Sequence, residues 1–217
     1  MGEYLTGILY LAPADLSGFQ VCPHANLAGC KEACLNTAGR GAFSNVQNAR
    51  IRKTRLFFED RAFFMQTLVA DIQALKRKAY KMGVLPAARL NGTSDIRFEK
   101  IPVNGAANIM ELFPDVQFYD YTKNATRTGL PVNYNLTWSY SGANDKYAGY
   151  MPKAIKNGMN VAVVFSGKQP ETFAGIPVTN GDLHDLRFTD PQNCIVGLSA
   201  KGKAKKDHSG FVVQIGE

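Results

Sequence analysis

Three of the four cysteines, Cys22, Cys30 and Cys34, fall within thirteen residues at the spacing C-x7-C-x3-C. Thiolates this close, in a chain so poor in cysteine, suit a metal or an iron–sulfur cluster better than a disulfide. Soft sulfur ligands match iron, and their negative charge offsets that of the cluster. Cys30 and Cys34 stand four apart and would share one face of a helical turn. Cys22 would fold back from the preceding loop to complete a three-point claw. On a [4Fe–4S] cube, three ligands leave one iron open to a substrate or cofactor. Zinc is the alternative, with His24 or Cys194 as fourth ligand, although a buried free thiol is the default for Cys194. The spacing is neither the C-x2-C repeat of ferredoxins nor the paired C-x2-C of zinc ribbons.

The elements that must position this claw alternate along the chain. A strand over residues 4–12 leads through Pro13 and Gly18 into the cysteine segment, and a short helix is expected over 28–36. Residues 43–55 read as a basic helix carrying Arg50, Arg52, Lys53 and Arg55. From Phe58 to Met82 apolar residues recur every three or four positions, the strongest helical signal in the sequence. Strands are expected at 87–91, 116–121, 134–140, 160–165, 176–179 and 195–199, with helices at 105–113 and 145–157. This alternation predicts an α/β fold in a single domain spanning residues 1–217. Its mostly parallel sheet would curl into a partial, TIM-type barrel.

In such folds working residues come from loops at the carboxyl ends of strands, and polar residues do collect there. Asn91, Thr93, Ser94 and Asp95 follow the second strand, Asp120 and Lys123 end the third, and Ser139 ends the fourth. Asn91, Thr93, Ser94 and Ser139 are candidates to hold a cofactor. Asp95, Asp120 and Lys123 are candidates for catalysis, set against the plainer reading that strand-end carboxylates cap helices and bind basic neighbours. Asp182, His184, Asp185 and Arg187 follow a later strand. The basic run from Lys201 to Lys206 reads as a solvated, flexible loop, with phosphate or nucleic-acid contact as the sharper alternative.

Lys and Arg exceed Asp and Glu by 25 to 18, giving +7, a balance that admits an anionic partner such as nucleic acid. Against that, aromatic residues do not interleave with the basic runs as stacking platforms would require. No apolar run approaches the roughly 20 residues that span a bilayer, so no membrane partner is expected. Four cysteines without a secretory signal point to a reducing, cytoplasmic compartment. No Walker loop, G-x-G-x-x-G fingerprint or G-x-S-x-G elbow appears.

A cysteine loop after the first strand of an α/β barrel looks like that of the radical S-adenosylmethionine enzymes, although their usual motif is C-x3-C-x2-C. More closely, the chain resembles a family of bacteriophage proteins. The matching stretches include Cys22-Pro23, Gly29-Cys30, Ala33-Cys34-Leu35, Arg89 to Asp95, Phe118 to Lys123, Gly181-Asp182 and Val196 to Lys203. The resemblance implies a radical-SAM-like partial barrel in the host cytoplasm. It would carry a [4Fe–4S] cluster on Cys22, Cys30 and Cys34, with S-adenosylmethionine or another small molecule at the open iron. A metal-stabilised module that binds nucleic acid or a host protein, without catalysis, is the alternative.

Overall fold

The computed structural model describes residues 3–31, 33–34, 36 and 39–215. The chain is α/β with mostly parallel strands, and it divides into two compact units. The first gathers Met1–Cys22, Ser44–Asp120 and Gly129–Asn135; the second gathers Pro23–Phe43, Tyr121–Thr128 and Leu136–Glu217.

In the first unit, β1 (Tyr4–Ile8) pairs in parallel with β2 (Leu85–Arg89), which pairs in parallel with β3 (Gln117–Thr122). Among the described residues, three α-helices lie between β1 and β2: α1 (Ala14–Ser17), α2 (Ser44–Glu59) and α3 (Arg61–Lys81). The periodicity running from Phe58 to Met82 spans a break, because the Asp60 side chain accepts from the Phe63 N–H at 3.0 Å and starts a new helix. The buried face of α3, with Phe64, Leu68 and Ile72, repeats at three and four residues and packs against β1 and β2. Phe57 joins it, edge-on to Phe64 and Phe98. The helix expected over 105–113 shrinks to α4 (Ile109–Leu112). Asn104 and Gly105, both at positive φ, form a tight turn ahead of it, and the Asn108 side chain caps its start.

In the second unit β5 (Asn160–Phe165) is central. One edge pairs with β8 (Ile195–Ser199) over the length of that strand. The other pairs with β4 (Tyr134–Ser139) at residues 160–162, and β9 (Val212–Val213) takes over at Val164 and Phe165. Beyond β8 lie β7 (Ile176–Asn180), also parallel, and the short antiparallel β6 (Thr172–Phe173). β5 is apolar on both faces, as a strand covered on both sides must be. The helix expected over 145–157 is split at Gly149 into α5 (Asp145–Ala148) and α6 (Met151–Lys156), and Pro152 opens the second piece.

Two further expectations are corrected. Residues 28–31 of the helix expected over 28–36 form turn and bend, as Gly29 takes φ +62°; Glu32 and Leu35 lie outside the described residues. The run from Lys201 to Lys206 is no loose loop: Gly202–Lys206 is a 3-10 helix with Ala204 buried. Among the described residues, no helix is long and apolar enough to cross a membrane.

Candidate functional site

The first unit builds a buried polar network at the carboxyl ends of β2 and β3. Asp120 has no solvent exposure. Its carboxylate accepts from the Asn91 backbone N–H at 2.7 Å, from Asn91 Nδ2 at 3.2 Å and from the Tyr134 hydroxyl at 3.0 Å. Asn91 also donates from Nδ2 to the Ile96 carbonyl, while its Oδ1 accepts from Ser94 Oγ and from the Ile96 N–H, both at 2.8 Å. The loop from Asn91 to Ile96 is thus closed on itself and bolted to Asp120. That places Asp120 as the group that shapes the loop.

This loop also grips the stem of the cysteine segment. Thr93 Oγ1 donates to the Leu11 carbonyl at 2.6 Å, and the Asp95 N–H donates to the Val21 carbonyl at 2.8 Å, one residue before Cys22. Three of the residues expected to hold a cofactor, Asn91, Thr93 and Ser94, therefore use their polar groups on the protein itself, while Asp95 is buried.

The second unit carries the rest. Lys123 Nζ donates to Ser139 Oγ at 2.9 Å and lies 4.5 Å from the centroid of the Phe211 ring, within cation–π range. The Tyr147 hydroxyl donates to the Ser139 carbonyl at 2.7 Å, and Trp138 Nε1 donates to the Lys123 carbonyl. Ser139 ends β4 where that strand gives way to β9 along the edge of β5, and the Gly142 N–H donates to the Gly210 carbonyl. Tyr147, Phe211 and Gly210 escaped the sequence reading. The aromatic residues carry no chemical signature, and Gly210 is one glycine among 20.

The loop bearing Cys30 and Cys34 packs on this same region. The Gly29 carbonyl accepts from Ser209 Oγ at 3.0 Å, and Ala33 shares an apolar cluster with Ala200, Ala204 and Val212. A Cβ on Gly29 would stand 2.5 Å from the Ala143 Cβ, so glycine is required there for space as well as for φ.

Cys22, Cys30 and Cys34 form no disulfide and are of intermediate burial. The Cys22 N–H donates to Gln20 Oε1, and the Cys30 N–H donates to the Ala25 carbonyl. By chemistry this donor set fits iron or zinc. By position, no three His, Cys, Asp or Glu side chains are grouped as metal ligands among the described residues. Cys194 is different: it is buried, and burial pushes its thiol up despite a hydrogen bond with Thr179, so it stays protonated.

Beyond β7, Asp182 accepts from Lys201 Nζ at 2.7 Å and from the Ser199 N–H at 2.8 Å. Burial pushes its carboxyl up, but these hydrogen bonds outweigh burial and hold it below its usual value. Arg187 and Asp190 form a buried pair, Nε to Oδ2 at 3.3 Å, with Arg187 Nη2 also donating to the Gly181 and His184 carbonyls. Burial raises the Asp190 carboxyl even against the pull of Arg187 and His184. This pair closes the segment after β7 on itself.

Residues 2–215 match the family described as Gene product 88. The chain belongs to the Gene product 88 family. The family is of phage type, and the match takes in both units. No curated protein and no solved structure matches the chain.

Proposed function

We propose that this Gene product 88 protein is a phage-encoded iron–sulfur protein of the host cytoplasm. Cys22, Cys30 and Cys34 would hold a [4Fe–4S] cluster and leave one iron for a small ligand. The observation that carries the reading is the investment in the cysteine segment. Its stem is clamped by Thr93 and Asp95, its turn by Ser209, and its three cysteines form no disulfide and are half-buried while the fourth is sequestered. Half-exposed soft donors on a braced loop are the chemistry a cluster needs, and gathering the thiols on metal binding couples loading to local folding. When bound, the cluster would supply electron transfer and a Lewis-acidic iron.

The chain's own residues have separable roles in this reading. Asp120 and Asn91 fix the loop that holds the segment. Lys123 and Ser139 present a fixed cation and a hydroxyl at the strand ends, suited to the carboxylate of S-adenosylmethionine or a similar chelating ligand. The parallel pairing within each unit supports the finer proposal that the strands curl as a partial barrel of the radical-SAM type.

The test is ligand substitution. After anaerobic reconstitution, Cys22→Ser, Cys30→Ser and Cys34→Ser should each lose most of the bound iron, and Cys194→Ala should keep it. Iron retained in all three serine variants would refute the assignment. Adding S-adenosylmethionine to the reduced protein should shift the cluster's EPR signal, and no change at saturation would remove the open-iron part.

A further inference from the structure

The 3-10 helix at Gly202–Lys206 turns its small residue inward and its lysines outward. Ala204 is buried against Ala33 of the cysteine loop, while Lys203, Lys205 and Lys206 are exposed. A 3-10 helix repeats every three residues and rises about 2 Å per residue, so Lys203 and Lys206 share one edge about 6 Å apart. Among the described residues, none of these three lysines has an ion-pair partner. The nearby carboxylates are engaged elsewhere. Asp182 is bound to Lys201 at 2.7 Å, and Asp207 accepts from Ser209 Oγ at 2.7 Å and from the Val212 N–H at 3.0 Å. These bonds, with the pairing of β9 on β5, hold the ridge in place next to the Cys30 loop.

Three like charges held on one short turn repel one another unless an anion lies across them. We propose that this ridge binds the phosphate backbone of a single-stranded nucleic acid and lays it along the rim of the cysteine loop. Spacing favours a strand: phosphates recur about every 3.4 Å along one stacked strand, so an edge of about 6 Å meets about two of them. Helix length disfavours duplex reading, because the longest α-helix of this unit among the described residues is the six-residue α6. The inference does not rest on the cluster and stands or falls separately from it.

The test is fluorescence anisotropy of a labelled mixed-sequence oligonucleotide of roughly 12 nucleotides, titrated from ~50 to ~200 mM salt. The triple substitution K203Q/K205Q/K206Q should weaken binding about tenfold at the low-salt end. It should also reduce the slope of log K against log salt by about 2, near 0.7 for each lysine. The triple Arg variant should bind like the parent, and circular dichroism should show both variants folded. Iron content, measured on the same samples, should not change, which separates this result from the cluster proposal. No binding at ~50 mM salt, or an unchanged slope in the Gln variant, would overturn the proposal. So would equal affinity for a duplex of the same length, or equal competition by a polyglutamate peptide.

Discussion

Asp120→Asn tests whether the Asn91–Asp120 network holds the strand-end loop. The carboxylate is fully buried and accepts three hydrogen bonds, two from Asn91 and one from Tyr134. An asparagine in its place offers one acceptor oxygen and an NH2 group. Whichever way the amide lies, at least one donor of Asn91 or Tyr134 meets another donor. Hydrogen bonds to a charged group contribute about 1.5–3 kcal/mol each, and a buried donor left unpaired costs a further 1–3 kcal/mol. The expected loss is therefore about 3 kcal/mol. With a urea m-value of about 2 kcal/mol per molar, that moves the unfolding midpoint down by about 1.5 M. Tyr134→Phe removes a single bond and should cost about 1.5 kcal/mol. Because the two residues share that bond, the double variant should lose less than the sum of the singles. Urea titration followed by circular dichroism reads all three. A shift below about 0.5 kcal/mol for Asp120→Asn, the range of ordinary surface changes, would refute the claim that this carboxylate organises the loop.

Other consequences are narrower. Gly29→Ala forces a Cβ within 2.5 Å of Ala143 at a positive φ; it should cost about 2 kcal/mol and lower iron loading while far-ultraviolet circular dichroism is kept. An unchanged midpoint would contradict the packing. Arg187→Met leaves Asp190 buried without its guanidinium partner, and about 3 kcal/mol should be lost, recovered in large part by adding Asp190→Leu. The Asp182 carboxyl is held below its usual value in the folded state, so its contribution is present at neutral pH. It fades as pH falls below about 4. Lys201→Met should flatten that acid limb by less than 1 kcal/mol, the pair being partly exposed, and an identical stability–pH curve would count against the pairing.

What was legible in the sequence follows from what carries periodicity. β2, β3, β4, β5, β7 and β8 lie within two residues of the expected runs, β5 most plainly, because a strand covered on both faces stands out as an apolar stretch. Helix breaks were less legible. Asp60 and Gly149 sit inside good apolar periods, and only the hydrogen bond from the Phe63 N–H or the restart at Pro152 shows the chain turning. The two-residue strands β6 and β9 are too short to leave a pattern.

Among the site residues, sequence position alone brought out Asn91, Thr93, Asp95, Asp120, Lys123 and Ser139. Their pairing was hidden. That Asp120 bonds Asn91 across 29 positions, or that Lys123 rests on Phe211, depends on strand register and on β9, which no local signal announces. The cysteines show the reverse. Their spacing drew attention first, yet the turn that holds Gly29 and Cys30 owes its form to Ser209 and Ala143, far along the chain.

The most direct test is iron and acid-labile sulfide quantitation on the anaerobically purified protein, with its absorbance spectrum. The cluster assignment predicts about four irons and four sulfides per chain and a broad band near ~400 nm from thiolate-bound iron. One zinc without sulfide, or a colourless protein free of metal, would contradict it.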